Sequence, residues 1–236
     1  MPPLHIMRHE ILHAPAFSTL RLDMSAAEAI IVQPGAMQAM TPGFHIETKF
    51  GLQQGEKRGV FGGMRSVFGG ENFFSVIYKA KRDEQHIMLA PEQMGEIRTV
   101  EIGADGGLML APGAFLACTP ELGFKLHYAG MKGLLATRGL FFLKTEGAGT
   151  LFLSSYGGVI EQTLGEGERF VLDNRNIVAF SEAMNFESVV LTKSLKDSFF
   201  SGEGFIVRFT GPGKLLYQTR ARPSVGLFRA LFQSLT

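Results

Sequence analysis

Ile30-Ile31-Val32-Gln33-Pro34-Gly35-Ala36-Met37-Gln38-Ala39-Met40-Thr41 is a short apolar run, a Pro-Gly turn and a second short apolar run. An offset of 78 positions (Pro34 to Pro112) leads to Leu108–Thr119, which reads Leu-Met-Leu-Ala-Pro-Gly-Ala-Phe-Leu-Ala-Cys-Thr. A further 62 positions (Pro112 to Asn174) lead to Phe170–Ser181, Phe-Val-Leu-Asp-Asn-Arg-Asn-Ile-Val-Ala-Phe-Ser. The columns agree in kind. Val32, Leu110 and Leu172 are aliphatic; Met37, Phe115 and Ile177 are apolar; Ala39, Ala117 and Ala179 coincide; Thr41, Thr119 and Ser181 carry small hydroxyls. Pro34-Gly35, Pro112-Gly113 and Asn174-Arg175 fall where a tight turn belongs. Each block therefore reads as strand, turn, strand, and self-similarity at this spacing marks a repeat architecture. The recurring alanine predicts close packing in every copy, near a pseudo-threefold axis.

A second hairpin follows each block. Glu146-Gly147-Ala148-Gly149-Thr150 and Thr210-Gly211-Pro212-Gly213-Lys214 are related by an offset of 64 (Gly147 to Gly211). Ahead of them Phe141, Leu143 and Thr145 alternate with Phe142, Lys144 and Glu146, as Phe205, Val207 and Phe209 do with Ile206, Arg208 and Thr210. A period of two is the mark of a half-buried strand. In the first copy the counterpart is Phe73–Ala80, with Lys81-Arg82-Asp83-Glu84 as the turn. The copies differ in the length of the connections between hairpins, and surface loops absorb such differences at small entropic cost.

These blocks predict one all-β domain over residues 1–220 with three pseudo-symmetric repeats, at about 16–90, 91–160 and 161–220. Together they would form a barrel or prism-like body. Over 221–236, Leu227, Phe228, Leu231, Phe232 and Leu235 recur at helical spacing behind Pro223-Ser224, which predicts a short C-terminal helix. The 29 glycines and 10 prolines favour many short strands over long helices. At 45% hydrophobic residues the chain of 236 has material for a sizeable core. A net charge of +1 argues against a wholesale polyanion binder, and a single cysteine excludes a disulfide framework. Met1–Glu10 lacks the pattern of a signal peptide, and no apolar run reaches the ~20 residues of a membrane span, so a cytoplasmic protein is expected.

The motifs that could carry chemistry are few. His9-Glu10-Ile11-Leu12-His13 spells the zinc-hydrolase pattern, but that pattern grips a metal only on a helix. Pro15 disfavours helical geometry at Ala14, and Phe17–Met24 alternates like a strand. On a strand at ~3.3 Å per residue, His9 and His13 would lie ~13 Å apart, too far to share one ion. Cys118 falls in a column with Met40 and Phe180, so it reads as a packing position. Gly211-Pro212-Gly213-Lys214 lacks the spacing of a phosphate loop. No catalytic residue, metal site or cofactor is expected.

Two surfaces stand as candidates. The segments between hairpins are apolar, broken by glycine, and carry a few cations: Gly59–Gly70 with Phe61 and Phe68, Met131–Leu135 with Leu134 and Leu135, and Leu195–Phe200 with Phe199 and Phe200. Gathered at one end, they would make an apolar patch for a subunit, partner or membrane. After Glu203 there is no acidic residue, while Arg208, Lys214, Arg220, Arg222 and Arg229 remain, giving a segment of charge +5 as a candidate anion contact.

Gly202-Glu203-Gly204-Phe205-Ile206-Val207-Arg208-Phe209-Thr210-Gly211-Pro212-Gly213-Lys214, with Gln218-Thr219-Arg220 beyond it, resembles the C-terminal signature of the "altered inheritance of mitochondria" family. Gln33-Pro34-Gly35-Ala36-Met37 and Leu89-Ala90-Pro91 match its earlier landmarks, so the resemblance runs from about Ala16 to Arg220. It implies a threefold pseudo-symmetric β fold related to the double-stranded β-helix and similar to the barrel of the tryptophan RNA-binding attenuation protein. It also implies a homo-oligomer. Fungal relatives are linked to mitochondrial inner-membrane organisation, and the family brings no catalytic residues to carry over. The expectation is a non-catalytic scaffold or interaction protein that presents loops of a rigid β oligomer to a protein or membrane partner. An RNA- or small-anion-binding module is the alternative, and a zinc-dependent hydrolase stands behind both.

Overall fold

A computed structural model describes residues 7–50, 74–103, 106–128, 141–189 and 206–221. A leading strand β1 (His9–Leu12) is followed by three sets of six strands. The first set is β2 (Thr19–Met24), β3 (Ala29–Val32), β4 (Met37–Met40), β5 (Phe44–Phe50), β6 (Phe74–Ala80) and β7 (Gln85–Leu89). The second is β8 (Ile97–Ile102), β9 (Leu108–Leu110), β10 (Phe115–Cys118), β11 (Leu122–Tyr128), β12 (Phe141–Gly147) and β13 (Gly149–Ser154). The third is β14 (Val159–Leu164), β15 (Arg169–Asp173), β16 (Ile177–Ser181), β17 (Asn185–Val189), β18 (Ile206–Thr210) and β19 (Gly213–Gln218). Among the described residues the helical content is one 3-10 turn, Asn174–Asn176.

The same pairings recur in every set. The first strand pairs with the sixth (β2·β7, β8·β13, β14·β19), and so does the third (β4·β7, β10·β13, β16·β19), both antiparallel. The fifth pairs with the fourth (β5·β6, β11·β12, β17·β18) and with the second (β3·β6, β12·β9, β15·β18). In each third strand the register breaks at one place: between Met37 and Ala39, between Phe115 and Ala117, and between Ile177 and Ala179. A bulge at one aligned column in all three copies ties the sequence alignment to the backbone. The turn ahead of it is built in two ways. Gly35 and Gly113 sit at φ +83° and +71°, the left-handed region that glycine enters without a Cβ penalty. In the third copy Asn174-Arg175 form the 3-10 turn instead, and the Asp173 carboxylate accepts from the Arg175 N–H at 2.9 Å.

Neighbouring sets are stitched by one further kind of pair, the second strand of one with the third strand of the next. β3 meets β10 with Val32 opposite Ala117 and Ile31 opposite Cys118. β9 meets β16 with Leu110 opposite Ala179, Met109 opposite Phe180 and Leu108 opposite Ser181. The result is four sheets: β1-β2-β7-β4, β5-β6-β3-β10-β13-β8, β11-β12-β9-β16-β19-β14 and β15-β18-β17. The expected barrel is corrected here, because these sheets are open and no closed barrel forms among the described residues. Among the described residues the outer edges of β4 and β15 each lack a partner strand. The segment expected as a C-terminal helix, 222–236, lies outside the described residues.

Three apolar clusters fill the interior, one for each set, and the first two draw on the set that follows. The first holds Leu20, Leu22, Ile30, Val32, Ile87 and Leu89 with Ile97, Leu116, Ala117 and Phe152 of the second set. The next holds Leu110, Phe115, Cys118, Phe124, Leu151 and Leu153 with Val159, Val178, Ala179 and Leu216 of the third. The last, around Phe180, Val207, Phe209 and Leu215, takes Met109, Ala111 and Phe142 from the set before it. The aligned alanines therefore do not share their surroundings, contrary to expectation. Ala117 and Ala179 are wholly buried, each between two paired strands, whereas Ala39 is exposed on the open edge of β4.

Candidate functional site

The fourth and fifth strands of each set are paired to their far ends, so the connection between them leaves from an equivalent place every time. Phe50 faces Phe74, Tyr128 faces Phe141, and Val189 faces Ile206. Phe61 and Phe68 belong to the first of these connections, Leu134 and Leu135 to the second, Phe199 and Phe200 to the third. These six residues lie outside the described residues; the structure describes the hairpin ends from which their segments leave.

Of the candidate anion contacts, Arg208 and Lys214 are already matched by carboxylates from earlier in the chain. Arg208 sits on β18 and donates from Nη1 to Glu187 Oε1 on the paired β17 at 2.9 Å. Lys214 Nζ lies 2.9 Å from Glu161 Oε1 across the β14·β19 pair. Both pairs are solvent-facing and screened, so each contributes little to stability while lowering the local positive field. The Arg220 N–H donates to the Tyr156 carbonyl at 3.3 Å, and Arg222 lies outside the described residues. The acid-free C-terminal segment is thus partly neutralised by carboxylates that cross-strand register brings to it.

His9 and Glu10 lie on β1, which pairs with β2 from His9–Leu22 to Leu12–Thr19, so the zinc-hydrolase helix is not formed. Both ring nitrogens of His9 are engaged, Nδ1 with the Met7 carbonyl at 2.9 Å and Nε2 with the Thr99 hydroxyl at 3.1 Å. Its ring packs edge-on to Phe152 at 5.0 Å. His13 stands beyond the strand at φ +58°. Among the described residues no three His, Cys, Asp or Glu side chains converge to hold a metal ion. Cys118 is wholly buried at the β3·β10 seam, and its Sγ approaches the Leu122 carbonyl at 3.8 Å. Burial, reinforced by the charge of Glu121, pushes its thiol far above the usual range, the reverse of what a nucleophile requires.

Sequence reasoning missed the polar groups that tie the second set to the third. Glu96 Oε2 accepts from the Val159 N–H at 2.8 Å, while its Oε1 pairs with Arg98 Nε at 2.8 Å. Gln218, 1% exposed, accepts from the Tyr156 N–H at 2.8 Å and donates to the Arg175 carbonyl at 2.8 Å. Gly95 comes so close to Gly157 that a Cβ on it would stand 2.1 Å from the Ser155 carbonyl oxygen. The available signal was a glutamine closing the otherwise apolar run Leu215-Leu216-Tyr217-Gln218. A polar side chain in that setting must satisfy itself inside the protein.

Comparison with known proteins bears on the fold and the family. An uncharacterised protein of Streptococcus pyogenes serotype M6, M6_Spy0233, is 31% identical over 219 residues, covering 90% of this chain and 86% of that one. The crystal structure of protein SPYM3_0169 from Streptococcus pyogenes superposes with a TM-score of 0.73 at 25% identity, covering 98% of this chain and 100% of that chain. The family model described as "Mitochondrial biogenesis AIM24" matches residues 9–220. With nineteen strands of this chain falling inside that span, the protein belongs to the AIM24 mitochondrial biogenesis family.

Proposed function

We propose that this protein is a non-catalytic scaffold: a pseudo-threefold β body, assembled into a homo-oligomer, that presents its inter-hairpin loops to a protein or membrane partner. The observation that carries the reading is the equivalence of the three hairpin ends at Phe50/Phe74, Tyr128/Phe141 and Val189/Ile206. One backbone plan, used three times, sends out its longest connections from one kind of place. Those connections hold the apolar, glycine-broken segments with Phe61, Phe68, Leu134, Leu135, Phe199 and Phe200. Rigid strands beneath variable loops are the usual division of labour in binding proteins.

The engaged state of His9 and the buried thiol of Cys118 leave the described residues without an activated nucleophile or metal-binding group at those positions. The pairing of Arg208 and Lys214 with Glu187 and Glu161 weighs against the anion-binding alternative. The test is capture of partners and co-sedimentation with vesicles of phosphatidylcholine and phosphatidylglycerol, comparing the native chain with a variant in which Phe61, Phe68, Phe199 and Phe200 are serine. Retention that falls at least tenfold in the variant supports the reading. Equal retention of both, or of neither, overturns it.

A further inference from the structure

We propose that β15 of one copy of this chain pairs antiparallel with β4 of the next copy, with Leu172 opposite Ala39 and Val171 opposite Met40. The occupant of both open edges is thus a second copy. The proposal deepens the scaffold reading, on which it rests for the existence of an oligomer, by naming the seam that builds it.

The two seams inside the chain define the rule. Each joins the second strand of one set to the third strand of the next, and each sets the same columns against one another: Val32 against Ala117, then Leu110 against Ala179. The third member of the first column is Leu172 on β15, and the remaining member of the other column is Ala39 on β4. The neighbouring column repeats the relation, with Ile31 against Cys118 and Met109 against Phe180, leaving Val171 and Met40. The third set thus carries, in β15, the strand the first set would accept, and the first set carries, in β4, the strand the third would accept.

Burial agrees with this. β10 and β16 are buried along almost their whole length, while β4, with the same bulge at the same column, is largely exposed. Val171 on β15 is 49% exposed, while its counterparts Ile31 and Met109 are each 4% exposed. The cores carry the same asymmetry. The first is completed by Ile97, Leu116, Ala117 and Phe152 of the following set, and the second by the aligned Val159, Val178, Ala179 and Leu216. Among the described residues no following set completes the third. The residues aligned with those donors are Thr19, Gln38, Ala39 and Met88, all at the β4 end of the chain.

Neither edge carries the devices that keep a lone edge from pairing. β4 is Met37-Gln38-Ala39-Met40, without charge, and β15 confines its charges to Arg169 and Asp173 at its two ends. Pro42, just past β4, is no obstacle, because Pro120 holds the aligned place beside β10 in the formed first seam. A seam made from two different surfaces propagates head to tail, closing into a ring or extending as a filament.

Paired cysteines test the register. The full chain carrying Ala39→Cys and Leu172→Cys is oxidised with glutathione disulfide and run without reductant. The expected result is a ladder of chain multiples that collapses on reduction, at least tenfold stronger than from Ala39→Cys with Val171→Cys, which is one position out of register. Native mass spectrometry of the unmodified chain should give integral multiples of one chain, shifted to single chains by Val171→Lys with the strand circular-dichroism signal kept. A cross-link within one chain, or equal ladders from both pairs, overturns the proposal. Multiples that persist in Val171→Lys overturn this seam while leaving a scaffold built by another contact. Absence of partner and vesicle capture by the unmodified chain, with the ladder intact, overturns the scaffold reading alone.

Discussion

The β3·β10 seam and the open β4 edge are made of the same kind of strand in two conditions. β10 and β4 share a turn, a bulge and an alanine column, and both rest on the last strand of their own set. Around β10 a second partner strand and a neighbouring core close over Leu116, Ala117 and Cys118, all wholly buried. Around β4 no second described strand closes, and Met37, Gln38 and Ala39 are exposed. Local sequence thus sets the path of the backbone, and the neighbour sets the burial. One residue type in one conformation can be a core residue in one copy and a surface residue in another.

That contrast can be broken by substitutions made in matched columns. The largest effect is expected from Ala117→Glu, which puts an unpaired carboxylate into a wholly buried seam; such burial costs several kcal/mol, on the order of 3–5, enough to prevent folding. Ala39→Glu in the aligned place should leave the monomer folded, as judged by circular dichroism and urea unfolding. Next comes Phe152→Ala, which empties a buried ring site that also supports His9 and should cost ~3–5 kcal/mol in urea, against less than ~1 kcal/mol for the aligned Met88→Ala measured on dissociated chains. Equal losses in either matched pair would refute the contrast. Gly95→Ala should cost ~1–3 kcal/mol, since its Cβ would strike the Ser155 carbonyl and force apart the backbones of the second and third sets.

Smaller again is the pH response of Cys118. Its thiol is held neutral in the fold, while in the unfolded chain it ionises near ~8.5. The unfolded state therefore sheds a proton that the folded state keeps. The contribution is fully present below pH ~8.5 and is lost above it at up to ~1.4 kcal/mol per unit as pH rises toward the folded value. Urea midpoints measured from pH 7 to 10 should show this decline, and Cys118→Ala should flatten it. The thiol should also resist alkylation at pH 7 until the protein unfolds. Arg208→Ala closes the series at under ~1 kcal/mol, as befits an exposed ion pair.

The repeated hairpins were legible because turn chemistry and a period of two are local signals. Pro34-Gly35, Pro112-Gly113 and the strands before Gly147 and Gly211 declare themselves within a dozen residues. The first strand of each set, β2, β8 and β14, was not read as a repeat. Met24, Ile102 and Leu164 are apolar and buried in all three, but columns such as Leu20, Arg98 and Ile160 mix a buried residue with exposed ones and a charge, which blurs the repeat. The seams were equally hidden, since a pairing between residues 85 or 69 positions apart, as Val32–Ala117 and Leu110–Ala179, leaves no local trace. Hence the alanine column was found in the sequence while its unequal burial was not. The candidate loops were read from composition alone, and the structure adds the common origin of their segments.

The connections that leave those common origins differ in length: 23 residues after Phe50, 12 after Tyr128 and 16 after Val189. An assembly of separate identical units must repeat every alteration at every position. Here three sets of strands share one polypeptide, so a mutation in one connection leaves the other two untouched, and natural selection can diversify them one at a time.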